Sequence, residues 1–255
     1  MSSRAELILA VDTSGADAGV VLAGDGRVET ALLPTKAGGF AQTEDLAGLA
    51  GALLATRGCT AKDLTVLGAV VGPGSYTGLR SGMAFLRGLA FEERLAAVAV
   101  GSLELLAWRG ARPGESVLAV LAAGPGRYVT AAYLREDDSI HELAAPRIVE
   151  QDEFAGDLAE CSRGLAAVVT EAAALAGDDS ARRASASATV VEAARSSGLE
   201  FRVAGTDSLE QLALLVASRS RRMESASIDK LVPVYVGHAR ALPNRRRVAI
   251  RDAPE

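Results

Sequence analysis

The 255-residue sequence predicts an α/β protein of two tandem subdomains, each a mixed sheet carrying helices. Three observations predict it. The chain opens with three short apolar runs, two of them parted by a tight turn. Later apolar runs alternate with segments of helical period. A second group of runs in a similar order begins near residue 115. Three strands in antiparallel succession, followed by strands alternating with helices, give a mixed sheet with helices packed on it.

The first run, 7–11, ends in Asp12-Thr13-Ser14-Gly15 and reads as a buried strand closing in a polar turn. Runs 19–23 and 28–33 follow, joined by Gly24-Asp25-Gly26, a hairpin signal. Residues 40–57 place Leu46, Leu49, Ala50, Leu53 and Leu54 at helical spacing, with Gly58 as the C-cap. Run 64–71 is almost wholly apolar, as in a strand covered on both faces. A glycine-rich loop leads into a helix over about 77–93. Run 95–100 is a further strand, and Ser102 caps a helix over 102–108. This β-β-β-α-β-α-β order is the half-unit of the ribonuclease-H-like, actin-like (ASKHA) architecture.

In the second half, runs 117–122 and 128–134 are strands joined by Gly124-Pro-Gly126, and 140–149 is a candidate third. A helix is expected over 150–161 and a strand over 165–170. The Ala/Ser-rich stretch 172–188 has no placement. Residues 207–223 read as a helix with Leu209, Leu212, Ala213 and Val216 on one face and Asp207 or Ser208 as cap. The expected domains are 1–110, then a diverged subdomain 111–240, then a polar, Arg-rich tail 241–255.

Composition narrows the function classes. Hydrophobic residues make up 49% and aromatics 4%, so the core is built from Ala, Val and Leu. A net charge of −5 argues against a protein that grips nucleic acid by itself, although Arg219, Arg221, Arg222 and Arg245 to Arg247 form local basic clusters. Cys59 and Cys161 have no metal-ligand spacing and suggest a reducing compartment. The opening residues run into an apolar stretch too short to span a membrane, so the expected location is the cytoplasm.

Asp12-Thr13-Ser14 sits where an actin-like fold presents its first phosphate turn, with a carboxylate for Mg²⁺ and hydroxyls for phosphate. The same residues also simply make turns. The matching place in the second half, Leu121-Ala-Ala-Gly-Pro-Gly-Arg127, has no carboxylate, which argues against ATP hydrolysis. The loop Gly72, Pro73, Gly74, Ser75, Tyr76, Thr77, Gly78, continuing to Gly82, fits neither the Walker nor the Rossmann pattern. It is an anion site at a helix N-terminus or, as the weightier reading, a close-packed turn. Ser75 lacks a nucleophile elbow and an evident base. His141 and His238 stand apart without metal spacing.

The helix after the loop has two apolar stripes. One is Gly78, Gly82, Phe85 and Leu89; the other is Leu79, Met83, Leu86 and Ala90. A surface helix needs one. Either it and the preceding helix bury each other, or together they expose an apolar ridge to another protein.

Ile8-Leu-Ala-Val-Asp-Thr-Ser14, Gly72-Pro-Gly-Ser-Tyr-Thr-Gly-Leu-Arg-Ser-Gly82, Gly88-Leu-Ala90, Val100-Gly-Ser-Leu-Glu-Leu-Leu106 and Val232-Pro-Val-Tyr-Val236 together resemble the TsaB (YeaZ) family in order and spacing. The resemblance covers mainly the first 110 residues. It implies an actin-like fold and a non-catalytic subunit, without cofactor or metal of its own, of the complex that makes threonylcarbamoyladenosine beside the tRNA anticodon. The implied partners are a catalytic TsaD-type subunit and a TsaE-type ATPase, with tRNA met through the complex, no membrane, and a possible homodimer through the same surface. The partner surface falls on the first two helices, 42–56 and 77–92, and the expected contacts are Leu46, Leu49, Leu53, Leu79, Met83, Leu86 and Ala90. Glutamate at Leu79 or Met83 is accordingly expected to abolish pairing and leave the fold intact. Two departures stand out: the family's Asp-Ala-Arg-x-Gly-Glu-Val-Tyr is here Ala122-Ala-Gly-Pro-Gly-Arg-Tyr-Val129, and a histidine common at the first helix is missing from Phe40-Ala-Gln-Thr-Glu44. The rival readings are an actin-like small-molecule kinase using Asp12 with Mg-ATP, and an endopeptidase, which needs a metal pair the sequence lacks.

Overall fold

The structure, a computed structural model, describes residues 6–15, 18–33, 45–91, 95–171, 180–205 and 207–236. In chain order the elements are β1 (Ile8–Asp12), β2 (Gly19–Gly24), β3 (Arg27–Leu32), α1 (Leu46–Arg57), β4 (Val66–Gly72), α2 (Tyr76–Leu89), β5 (Ala96–Gly101) and α3 (Ser102–Gly110). They continue with β6 (Ser116–Ala122), β7 (Arg127–Arg135), β8 (Ile140–Glu150), α4 (Phe154–Cys161), β9 (Ala167–Glu171), α5 (Ser180–Ser196), β10 (Glu200–Ala204), α6 (Ser208–Arg221) and β11 (Ala226–Ser227). The expected helical residues 40–44, residues 172–179, His238 and the Arg-rich tail lie outside the described residues.

Two sheets form, in the orders β11-β5-β4-β1-β2-β3 and β10-β9-β6-β7-β8. With the two-residue β11 set aside, both have the same topology. Three antiparallel strands turn on tight hairpins, and two parallel strands then join the free edge of the first. This repeated unit is the two-subdomain actin-like fold expected from the element order. The first hairpin has Asp25 and Gly26 both at positive φ, the backbone a two-residue type I′ turn requires.

The chain divides into two compact units, the first holding residues up to Leu105 with Asp207–Tyr235, the second Leu106–Thr206. In the first, Leu9 and Val11 of β1, Val20 and Leu22 of β2 and Leu67, Ala69 and Val71 of β4 share a core with Leu46, Ala50 and Leu54 of α1 and Met83 and Leu86 of α2. Gly58 ends α1 in the left-handed region at φ +71°, as expected. Arg57, in the last turn of α1, donates to the Gly24 carbonyl at 3.1 Å and pairs with Glu29 of β3.

Helix α6 was expected inside the second subdomain, but it packs on β1, β2, β3, β4 and β5. The sequence of the first sheet makes room for it. A Cβ on Gly68 would stand 2.6 Å from Val216 Cγ2, and one on Gly19 would stand 2.8 Å from Leu209 Cδ1. Leu209, Leu212, Ala213 and Val216 are its buried face, as predicted. Asp207 precedes α6 without a side-chain cap; its carboxylate instead accepts from Gln211 Nε2 at 2.9 Å.

In the second unit, Tyr128 and Ala132 of β7 and Leu118 and Val120 of β6 pack against Phe154 and Leu158 of α4 and Val190, Ala193 and Ala194 of α5. β8 runs on to Glu150 because residues 148–150 continue the ladder with β7, which delays α4 to Phe154. β10 was not expected from the sequence. It is a short edge strand with Arg202 at its centre, which leaves little apolar signal.

Candidate functional site

The end of β1, the glycine-rich loop and the start of α2 come together as one knot. Asp12 is buried, and its Oδ1 accepts from the Ser14 amide at 2.9 Å and the Ser14 hydroxyl at 2.7 Å. This is a turn in which the carboxylate serves the chain's own backbone. The turn then lies directly on the loop. Ser75 N donates to the Ser14 carbonyl at 2.7 Å. A Cβ on Gly74 would stand 2.5 Å from Ser14 O, one on Gly78 2.1 Å from Thr13 O, and one on Gly82 2.5 Å from Thr13 Oγ1. Gly72, at φ +116°, is crowded from the other side by the Val234 carbonyl, 2.5 Å from where its Cβ would be. Each of the four glycines lies at a close approach of backbone or side chain, which is the packing reading of the loop.

Ser75 is the N-cap of α2, its hydroxyl accepting from Gly78 N at 3.1 Å. The cap occupies one of the amides an anion at this helix end would use. Ser102, expected as a cap, donates its hydroxyl to the Pro73 carbonyl, and the Glu104 carboxylate takes the Gly101 amide at 3.0 Å in its stead. Glu104 also pairs with Arg219 of α6.

Other chemistry-bearing residues lie apart from this knot. His141 is exposed on β8, its Nε2 2.9 Å from Ser139 Oγ and 3.1 Å from Glu136 Oε2. Burial pushes the Cys161 thiol above its ordinary pKa, the opposite of an activated thiol. The Gly124-Pro-Gly126 turn has Gly124 and Gly126 at positive φ and closes through Ala123 N to the Arg127 carbonyl at 2.9 Å. Among the described residues, no three His, Cys, Asp or Glu converge as metal ligands.

The expected partner contacts need correction. Leu79 and Met83 are 0% and 2% exposed, and Leu46, Leu86 and Ala90 are buried as well. Leu46, Met83, Leu86 and Ala90 share their core with a residue far along the chain: Leu231 is buried in it, Ile228 packs on it, and Arg87 Nη2 donates to the Leu231 carbonyl at 2.6 Å. Of the seven, only Leu49 and Leu53 reach the surface. They are joined on the rim of that core by half-buried Phe85 and Leu89 of α2, with Phe91 just beyond, 89% exposed. Ala47, Gly48, Gly51, Ala52, Ala55, Ala84 and Gly88, all exposed, leave this two-helix surface low and apolar.

The sequence reading passed over one further cluster. Tyr76 and Arg80, one helical turn apart, meet Tyr235: the tyrosine rings stack at 5.4 Å, and Arg80 Cζ lies 4.2 Å over the Tyr76 ring. The i, i+4 spacing of Tyr76 and Arg80 is a readable signal for the second contact.

Comparison with known proteins gives the family. The family described as "TsaD: tRNA N6-adenosine threonylcarbamoyltransferase" matches residues 35–236. The tRNA threonylcarbamoyladenosine biosynthesis protein TsaB of Escherichia coli (strain K12) is 32% identical over 138 residues, 52% of this chain and 57% of that protein. The chain thus spans little more than half the length of this curated relative. Two solved structures from Pseudomonas aeruginosa share the fold. One, a protein with similarity to peptidase YeaZ, has a TM-score of 0.68 at 19% identity; the other, YeaZ, has 0.65 at 18%. Each match covers 91% of this chain and 100% of the other. With four-fifths of its length matched and the actin-like architecture in place, the chain belongs to the threonylcarbamoyltransferase (TsaD) family, as a TsaB (YeaZ)-like member of it.

Proposed function

We propose that this chain is a non-catalytic, cytoplasmic subunit of the machinery that makes threonylcarbamoyladenosine in tRNA, and that it pairs with and activates a TsaD-type transferase. The observation that carries the pairing is the apolar surface over α1 and α2, where Leu49, Leu53, Phe85 and Leu89 form a partly buried rim among exposed alanines and glycines. Small side chains let a partner helix approach closely, and the larger ones supply the apolar area. At about 25 cal/mol per Å², four such side chains and Phe91 contribute several kcal/mol of gross burial. Association entropy offsets part of that.

The knot at Asp12 supports a structural role for the glycine-rich segment. Its carboxylate, hydroxyl and amides hold one another, and its glycines accommodate the β1 turn. The segment fixes the angle at which α2 leaves the sheet, and through it the pairing surface. A TsaE-type ATPase and tRNA join through the complex, and a homodimer competes for the same surface.

Co-expression with a TsaD-type subunit tests the pairing. Phe85→Glu and Leu89→Glu are expected to abolish co-purification while the chain keeps its melting temperature to within a few degrees. Unchanged co-purification of both variants sinks the assignment.

A further inference from the structure

Strand β3 forms a sheet edge open to a further strand. Among the described residues, the two sheets end in β11 and β3 and in β10 and β8. Such edges invite another strand unless they are short, charged, bulged or broken by proline. β11 has two residues. β10 sets the ion-paired Glu200 and Arg202 along its five residues. β8 carries Pro146, and its ladder with β7 is irregular around Ala132. β3 has no proline and keeps an unbroken register with β2 over all six of its residues.

The hairpin decides which backbone groups face outward. Across its two-residue turn Gly24 and Arg27 are the first hydrogen-bonded pair, and bonded pairs then alternate along the strands. Leu33 N, donating to the Ala18 carbonyl at 2.7 Å, continues that phase. Arg27, Glu29 and Ala31 therefore turn their N–H and C=O groups to β2, and Val28, Thr30 and Leu32 turn theirs to the free edge. The same three residues have exposed side chains, Val28 at 45% and Leu32 at 63%.

This pattern is self-complementary. Two copies of β3 laid antiparallel about a two-fold axis at Thr30 set Thr30 opposite Thr30, and Val28 opposite Leu32 twice. All three pairs are of the bonded kind, in which the two residues exchange both N–H···O bonds. An axis at Val28 or at Leu32 leaves part of the outward-facing set without a counterpart. Facing threonines hydrogen-bond across a ladder, and each Val28–Leu32 pair takes exposed apolar area out of water. On the opposite face Glu29 falls against Ala31 and is already held by Arg57, so no bare like charges meet. An extended peptide of unrelated sequence could make the backbone bonds, but only a second copy brings the matching side chains by symmetry.

We propose that β3 is a self-association edge, at which a second copy of this chain adds its own β3 in antiparallel register about Thr30 and joins two six-stranded sheets into one. Helix α2 packs on β4 and β1, which stand three and two strands in from this edge. The contact is therefore distinct from the pairing through Phe85 and Leu89 and does not rest on it.

Sedimentation velocity of the full chain at about 0.1 mM is expected to show a dimer. Thr30→Pro removes an N–H that only the second copy would use and leaves the ladder to β2 in place. It is expected to weaken the dimer about ten-fold or more, and to recover a TsaD-type subunit as well as the unaltered chain does. Phe85→Glu is expected to leave the dimer intact. Cysteine variants read the register: under copper–phenanthroline, Thr30→Cys is expected to cross-link to its own copy above the background set by Cys59 and Cys161. Val28→Cys, which faces Leu32 of the other copy, is expected to stay at that background. A monomer at this concentration, a dimer that survives Thr30→Pro, or one lost in Phe85→Glu each overturns the proposal. So does a Thr30→Cys variant that cross-links no more than Val28→Cys. Should Thr30→Pro fail to fold, the two cysteine variants decide alone.

Discussion

A methyl group at residue 78 has nowhere to go, because the Thr13 carbonyl oxygen already stands 2.1 Å from its place. Gly78→Ala is therefore expected to destabilise the chain by about 3 kcal/mol, read by urea denaturation, since backbone on both sides must shift. Gly51, exposed in α1, has open space around it. There alanine is expected to stabilise by up to about 1 kcal/mol, through helix propensity alone. In the second unit Glu115 accepts from Arg202 Nη2 at 3.0 Å and from the Arg112 amide at 2.8 Å. Arg202 foremost holds its carboxyl at about 2, well below the usual 4.5. A depressed folded-state value stabilises above about 4.5 and is lost as pH falls through about 2. With solvent screening this is worth on the order of 1–2 kcal/mol. Thermal melts should show that loss between pH 4.5 and 2, and Glu115→Gln should remove it; an unchanged pH profile in that variant contradicts the assignment.

At the scale of elements, α2 shows what one sequence can and cannot disclose. Its two apolar stripes were legible, as were the hairpin at Asp25, the cap at Gly58 and the buried face of α6. Which stripe meets solvent was not legible, because the core around Met83 and Leu86 includes Ile228 and Leu231, about 145 residues further on. A helical wheel contains no information about so distant a segment. For the same reason Leu79→Glu and Met83→Glu, expected from the sequence to spare the fold, are now expected to unfold the first unit: a carboxylate would be buried in its core without a partner, at a cost above about 4 kcal/mol. Far-ultraviolet circular dichroism of these variants beside Phe85→Glu separates core from surface. The knot around Gly74, Gly78 and Gly82 was half legible: the glycines announced a close approach, and only the fold shows that Thr13 and Ser14 make it.

Over the whole molecule, two copies of one sheet topology repeat, and the first copy is completed by a helix that follows the second in sequence. Gly68 leaves room for Val216, Gly19 for the Ala31 carbonyl and Leu209, and Arg219 ties α6 to Glu104 and to the Ala99 carbonyl. A chain ending at residue 206 is thus expected to lack a folded first unit, which hydrogen exchange of β1 and β4 amides would reveal as lost protection. A protected truncate would contradict that dependence. The same completion presents α1 and α2 on the other face of the sheet, with their small-residue surface outward. The central claim is that this surface pairs with a TsaD-type transferase. Its most direct test is co-purification of that subunit with the unaltered chain and with Phe85→Glu, both confirmed folded. Recovery with the first and loss with the second is the predicted result; equal recovery with both, or with neither, would contradict it.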